Sequence, residues 1–166
     1  MKNRSLGVIP QLGKEWRVSF EFRPTNYDLT AVRNLIQLTT GVTSSEHGSS
    51  TPEISFQRLK DQKVDMVVRT SLNRNPSYYV NLESLPTPEI DEWTKIEVDQ
   101  RQEGCSYFLA VSMANKEVVQ IENKNPRKFS NVTVFASNPD DEAQLGSIRN
   151  LKIVTSTGTF LWVKQN

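Results

Sequence analysis

Between residues 93 and 134 the chain alternates apolar and polar residues with a period of two, broken only by short turns, and that pattern restricts it to antiparallel sheet. Thr94, Ile96 and Val98 alternate with Lys95, Glu97 and Asp99. A turn at Glu103-Gly104 follows, and Cys105, Tyr107, Leu109, Val111 and Met113 then share one parity. Asn115-Lys116 turns the chain into 117–122, and 132–136 follows the connection Asn125-Pro126-Arg127. Strands of this kind bury one face and turn the other to water.

The same reading extends over the rest of the chain. Trp16, Val18, Phe20 and Phe22 alternate with Arg17, Ser19 and Glu21, and Pro24 ends that strand. Further strands are expected at 6–9, 34–40, 53–59, 64–70, 77–82, 147–155 and 159–163, separated by segments of turn composition. The longest polar loop, 41–52, holds the single histidine, and Ser137 to Glu142 forms an acidic loop. No segment carries sustained helical periodicity. Short strands at intervals of roughly ten residues predict an all-β, two-sheet antiparallel sandwich, and 166 residues suit one domain over 1–166.

Charge and length exclude several partners. With 20 Lys and Arg against 19 Asp and Glu, the chain has no long-range field for a phosphate backbone, so nucleic acid is not expected. No apolar run reaches the eighteen or so residues of a membrane span, and membrane insertion is not expected either. The one cysteine forms no internal disulfide, and its parity predicts a buried thiol. Trp16 and Trp93 are expected in the core.

Four phrases carry a family resemblance: Gly13-Lys14-Glu15-Trp16-Arg17-Val18-Ser19-Phe20-Glu21-Phe22-Arg23-Pro24, Trp93-Thr94-Lys95-Ile96-Glu97-Val98, Asn115-Lys116-Glu117-Val118, and Gly146-Ser147-Ile148-Arg149-Asn150-Leu151-Lys152-Ile153. In this order they resemble the concanavalin A-like lectin/glucanase superfamily, with laminin G-like and pentraxin-like modules nearest in pattern. The resemblance spans almost the whole chain. It implies a jelly-roll sandwich in which the early strand lies beside the last long strand, and an extracellular module that binds glycans or proteins. A phase shift near Arg149-Asn150 predicts a bulge in that last long strand.

The superfamily also holds glycoside hydrolases, whose catalytic strand resembles Glu-x-Asp-x-x-Glu. Glu97, Asp99 and Glu103 share a parity, but the third carboxylate arrives one residue late, on a turn. Their alternation with Ile96 and Val98 reads as a solvated strand face, so no catalytic residue is assigned. His47 has no adjacent nucleophile signature, and one Cys with one His cannot close a zinc site.

Sugar recognition calls for an aromatic ring with amides and carboxylates around it. Loops on a rigid sandwich are where such groups vary without disturbing the core, so the expected ligand-binding set is Tyr27, Asp28, His47, Asn138, Asp140, Asp141 and Glu142. Tyr79, out of phase with Tyr78 and Val80, is a further aromatic candidate. The oxygen-rich loop 138–142 suits calcium, with Asp140 and Asp141 as its ligands, and laminin G-like and pentraxin-like relatives often hold calcium at a sandwich rim. Asn131-Val132-Thr133 and Asn3-Arg4-Ser5 are glycosylation sequons, compatible with secretion. Three functions follow: a non-catalytic, extracellular, lectin-like module binding glycan; an adhesion or protein-interaction domain of a larger receptor; and a glycoside hydrolase of the same superfamily.

Overall fold

A computed structural model of the chain describes residues 4–27, 31–58, 64–80, 87–137 and 143–162. Twelve strands lie among them: β1 (Arg4–Leu12), β2 (Trp16–Pro24), β3 (Arg33–Thr39), β4 (Glu53–Arg58), β5 (Val64–Leu72), β6 (Asn75–Tyr79), β7 (Thr94–Glu103), β8 (Ser106–Met113), β9 (Lys116–Glu122), β10 (Phe129–Ala136), β11 (Gly146–Thr155) and β12 (Gly158–Trp162). They form two six-stranded antiparallel sheets. Sheet A runs β1-β10-β3-β4-β5-β6 and sheet B runs β12-β11-β2-β7-β8-β9. The expected pairing of β2 with β11 is present, with the register shift between Arg149 and Lys152 and Asn150 at φ 55°.

Alternation is what joins the sheets. Trp16, Val18, Phe20 and Phe22 on β2, with Ile96 and Val98 on β7, turn inward and meet Ile36, Ile54, Phe56 and Val68 from sheet A. Phe22 stacks on Phe56 across the interface, ring centroids 5.7 Å apart. Each such fully buried side chain contributes about 1.5–3 kcal/mol of transfer free energy, so the sandwich is held chiefly by this layer.

Two core expectations are corrected. Cys105 is exposed. Gly104, at φ 61°, closes the β7–β8 hairpin with Glu103 opposite Ser106, which leaves Cys105 on the turn rather than in the strand. Trp93 is only half-buried. Thr94 sits opposite inward-facing Phe22, so the residue before it belongs to the opposite parity and to the outer face of sheet B.

The loop 41–52 is more structured than its composition suggests. Its second half is bonded to β3 and β5: Thr40 N–H donates to Gly48 O (2.9 Å), Thr51 N–H to Leu38 O (2.8 Å), Leu38 N–H to Pro52 O (2.8 Å) and Ser71 N–H to Ser50 O (3.1 Å). Gly48 permits this approach, because its φ is +104° and a Cβ there would lie 2.6 Å from Thr40 Oγ1. Ser49, Ser50 and Thr51 are consequently buried.

Candidate functional site

The outward parity of β3, β4, β5 and β6 places Gln37, Glu53, Arg69 and Tyr79 in one cross-strand row: Gln37 lies opposite Glu53, Glu53 opposite Arg69, and Arg69 opposite Tyr79. Directly opposed residues have Cβ atoms about 4.5–5.5 Å apart, so the row is a continuous strip of side chains on the outer face of sheet A. Phe135 of β10 extends it beyond Gln37.

The strip is densely bonded. Arg69 Nη2 pairs with Glu53 Oε2, and Arg69 Nε donates to Ser50 Oγ (3.1 Å). Ser50 Oγ donates to Glu53 Oε2 (2.9 Å), and Asn34 Nδ2 donates to Glu53 Oε1 (3.1 Å). Arg69 Nη1 donates to the Tyr79 hydroxyl (3.5 Å), with the guanidinium 5.9 Å from the Tyr79 ring centroid. Gln37 Nε2 donates to Ser49 O (3.2 Å). Burial opposes the Arg69 charge, but Glu53 and Tyr79 outweigh it and hold its pKa above the ordinary arginine value. Glu53 is only 5 % exposed, whereas Tyr79 is 55 % exposed. Gln37 Oε1 and Ser49 Oγ are buried and without a hydrogen-bond partner among the described residues. The strip therefore offers an open aromatic ring and a partly exposed guanidinium, held in place by a buried, fully bonded carboxylate.

Of the rim residues expected from sequence, Tyr27 and His47 are described, and they lie toward opposite ends of β3. At the Asn34 end, Gln144 N–H donates to Asn34 O (2.9 Å), Ser137 N–H to Leu35 O (2.8 Å), and Gln144 Nε2 to Asn26 O (2.5 Å). The anchors of the 138–142 loop thus lie beside the loop that carries Tyr27. Asp28, Asn138, Asp140, Asp141 and Glu142 themselves lie outside the described residues, and the calcium expectation lies there with them. Tyr27 donates its hydroxyl to Pro88 O (2.6 Å) and sets its ring against Phe56, centroids 5.2 Å apart. Burial pushes its pKa well above the ordinary tyrosine value. At the Thr39 end, His47 rides on the loop that delivers Ser49 and Ser50. Its Nδ1 is buried without a partner among the described residues, and burial together with the Arg127 charge lowers its pKa, which favours the neutral ring. Gln37, Glu53 and Arg69 were not expected in the site.

Sheet B has its own polar feature. A cleft of about 390 Å³ at one end of β2, β7 and β11 is lined by Trp16, Arg17, Asp99, Arg101, Val154 and Thr155, among others. Arg101 binds Asp99 (3.1 Å), Glu103 (2.7 Å) and Glu117 (2.7 Å), while Arg17 lies 3.4 Å from Glu97. Asp99, expected on a solvated face, is 3 % exposed, and its desolvation raises its pKa despite Arg101. All three carboxylates of the near-miss hydrolase pattern are thus engaged by arginine.

No protein-family model and no curated protein sequence matches the chain. Solved structures do. A native heptameric SAP-like pentraxin from Limulus polyphemus superposes at TM-score 0.60 and 14% identity, over 90% of this chain and 67% of that one. The carbohydrate recognition domain of Emp47p superposes at TM-score 0.51 and 12% identity, over 83% of this chain and 69% of that one. With both sheets, their pairing and these neighbours in place, the chain has the concanavalin A-like jelly-roll fold of lectins and pentraxins.

Proposed function

We propose that this chain is a non-catalytic, lectin-like recognition module that works outside the cell and binds glycan on the outer face of sheet A. One observation carries the reading: the open Tyr79 ring stands at the end of the Gln37–Glu53–Arg69 row. A pyranose has an apolar C–H face that stacks on an aromatic ring, and hydroxyls that bond carboxylates, amides and guanidinium groups. Sharing a jelly-roll fold with a carbohydrate recognition domain supports this. In the proposal Tyr27 and His47 border the strip, Asp28, Asn138 and Glu142 contribute to the same ligand, and calcium is held by Asp140 and Asp141 where a metal takes part. The exposed Asn131 of its sequon supports an extracellular setting.

A glycan array followed by calorimetric titration tests the proposal. Tyr79→Ala should weaken binding of the captured saccharide at least tenfold with the melting temperature unchanged. Equal affinity in that variant removes the strip from the site, and an array without a ligand favours the protein-interaction reading. The hydrolase reading predicts reducing-sugar release that is abolished in Asp99→Asn, and the arginine pairing of Glu97, Asp99 and Glu103 argues against it.

A further inference from the structure

On the outer face of sheet B, far from the strip, two arginines share one tryptophan. Trp93 precedes β7, and the guanidinium carbons of Arg149 and Arg23 lie 4.1 Å and 5.4 Å from its ring centroid. Arg149 is held on β11 by a two-pronged pair with Glu21 of β2 (2.8 and 3.4 Å), and Asn150 donates to the same carboxylate (2.6 Å). Arg23 is different. Among the described residues it has no carboxylate partner and no hydrogen-bond acceptor, and its Nε is buried. The backbone beneath is close-packed: Gly146, at φ +150°, lies opposite Pro24, and a Cβ on it would be 2.5 Å from Arg23 O and 2.7 Å from the Phe22 ring.

A buried donor without an acceptor is unfavourable, and more so when it carries charge. The Arg23 Nη groups are not closed off in this way and also have no acceptor among the described residues. The two Nη–H groups of a guanidinium form a planar fork that matches two oxygens of one carboxylate or sulfate. Trp93 keeps the second cation beside the first, and Glu21 fixes Arg149 through Nε and Nη2, leaving Nη1 without a partner among the described residues. We propose that Arg23, Arg149 and Trp93 form an oxyanion subsite that takes the carboxylate or sulfate group of an acidic saccharide. The anion meets the Nη edge of Arg23, Arg149 adds the second charge, and Trp93 borders the sugar ring. The word saccharide rests on the recognition reading above; the anion does not.

Tryptophan emission of the intact chain, titrated at constant ionic strength with sodium sulfate, sodium glucuronate and glucose against chloride, tests this directly. The expected result is a saturable response to at least one of the two anions and none to glucose. Response to sulfate only assigns the site to sulfate esters, and to glucuronate only, to uronic acids. Arg23→Gln should weaken binding about tenfold or more, and Trp93→Phe should remove the optical signal. The wild-type Arg23 Nε–H resonance, assigned through Arg23→Lys, should shift on anion addition, which gives a readout independent of how the glutamine variant folds. No saturable anion response, an unmoved Nε–H resonance, or equal affinity in a folded Arg23→Gln protein overturns the proposal. Anion binding should persist in Tyr79→Ala. If sulfate binds through Arg23 while no glycan is captured by the array, the recognition reading fails and the anion subsite stands.

Discussion

The outer faces of the two sheets use the same pairing, arginine against carboxylate, under opposite conditions. On sheet A, Glu53 is buried beneath the 48–52 segment and serves Arg69, Ser50 and Asn34 together. On sheet B, the pairs Arg149–Glu21, Arg17–Glu97 and Arg101–Glu103 are partly open to water, while Asp99 is buried. A pair in water is worth about 0–1 kcal/mol, because solvent screens it and ordering two long side chains costs entropy. A buried group cannot lose its partner so cheaply, since the survivor is left charged and dry. Burial, not residue type, decides which row is structural.

Removing one acid from each face is the strongest way to break the comparison. Glu53→Ala should destabilise by about 3–5 kcal/mol, because Arg69 loses its counter-ion and Ser50 and Asn34 lose their acceptor. Glu103→Ala on sheet B should cost less than about 1 kcal/mol. Chemical unfolding of both variants measures the gap, and equal losses would contradict the assignment of weight to burial. The tryptophans give a second contrast. Trp16→Ala, in the core at 5 % exposure, should cost about 3–5 kcal/mol. Trp93→Ala should cost only about 1–2 kcal/mol, two cation–π contacts at a half-exposed site, and thermal unfolding would rank them.

The smallest effects sharpen the comparison through pH. Hydrogen bonding to Arg149 lowers the Glu21 pKa from its ordinary 4.5, so this acid adds stability above that value and loses it as pH falls through its lowered folded pKa. Glu21→Gln should cost about 0.5 kcal/mol at neutral pH and nothing in strong acid. Asp99 has the opposite sign. Its desolvation raises its pKa above the ordinary 3.8, so its contribution is present below that pH and is lost as pH rises through the folded value. Asp99→Asn should therefore gain on the wild type as pH increases. Stability curves of the two variants that run parallel in pH would show that the two carboxylates experience the same surroundings.

Period-two alternation was enough to mark the all-β sandwich, its strands and the bulge in β11, because parity follows from strand geometry alone, whereas the pairing of β2 with β11 came from the family resemblance. It misplaced Cys105 and Trp93, each at a strand end, where one residue of error reverses the face. The amino-acid order marks Gln37, Glu53 and Arg69 only as outward-facing polar residues on separate strands. Their alignment into one row, the folding of Ser50 onto it, the meeting of the Asn26 loop with Gln144, and the convergence of Arg23 and Arg149 on Trp93 depend on which strands are neighbours and in what register. Those are long-range choices settled by packing the whole core at once, so the chain's own pattern determined the scaffold and only the tertiary structure assembled the sites on it.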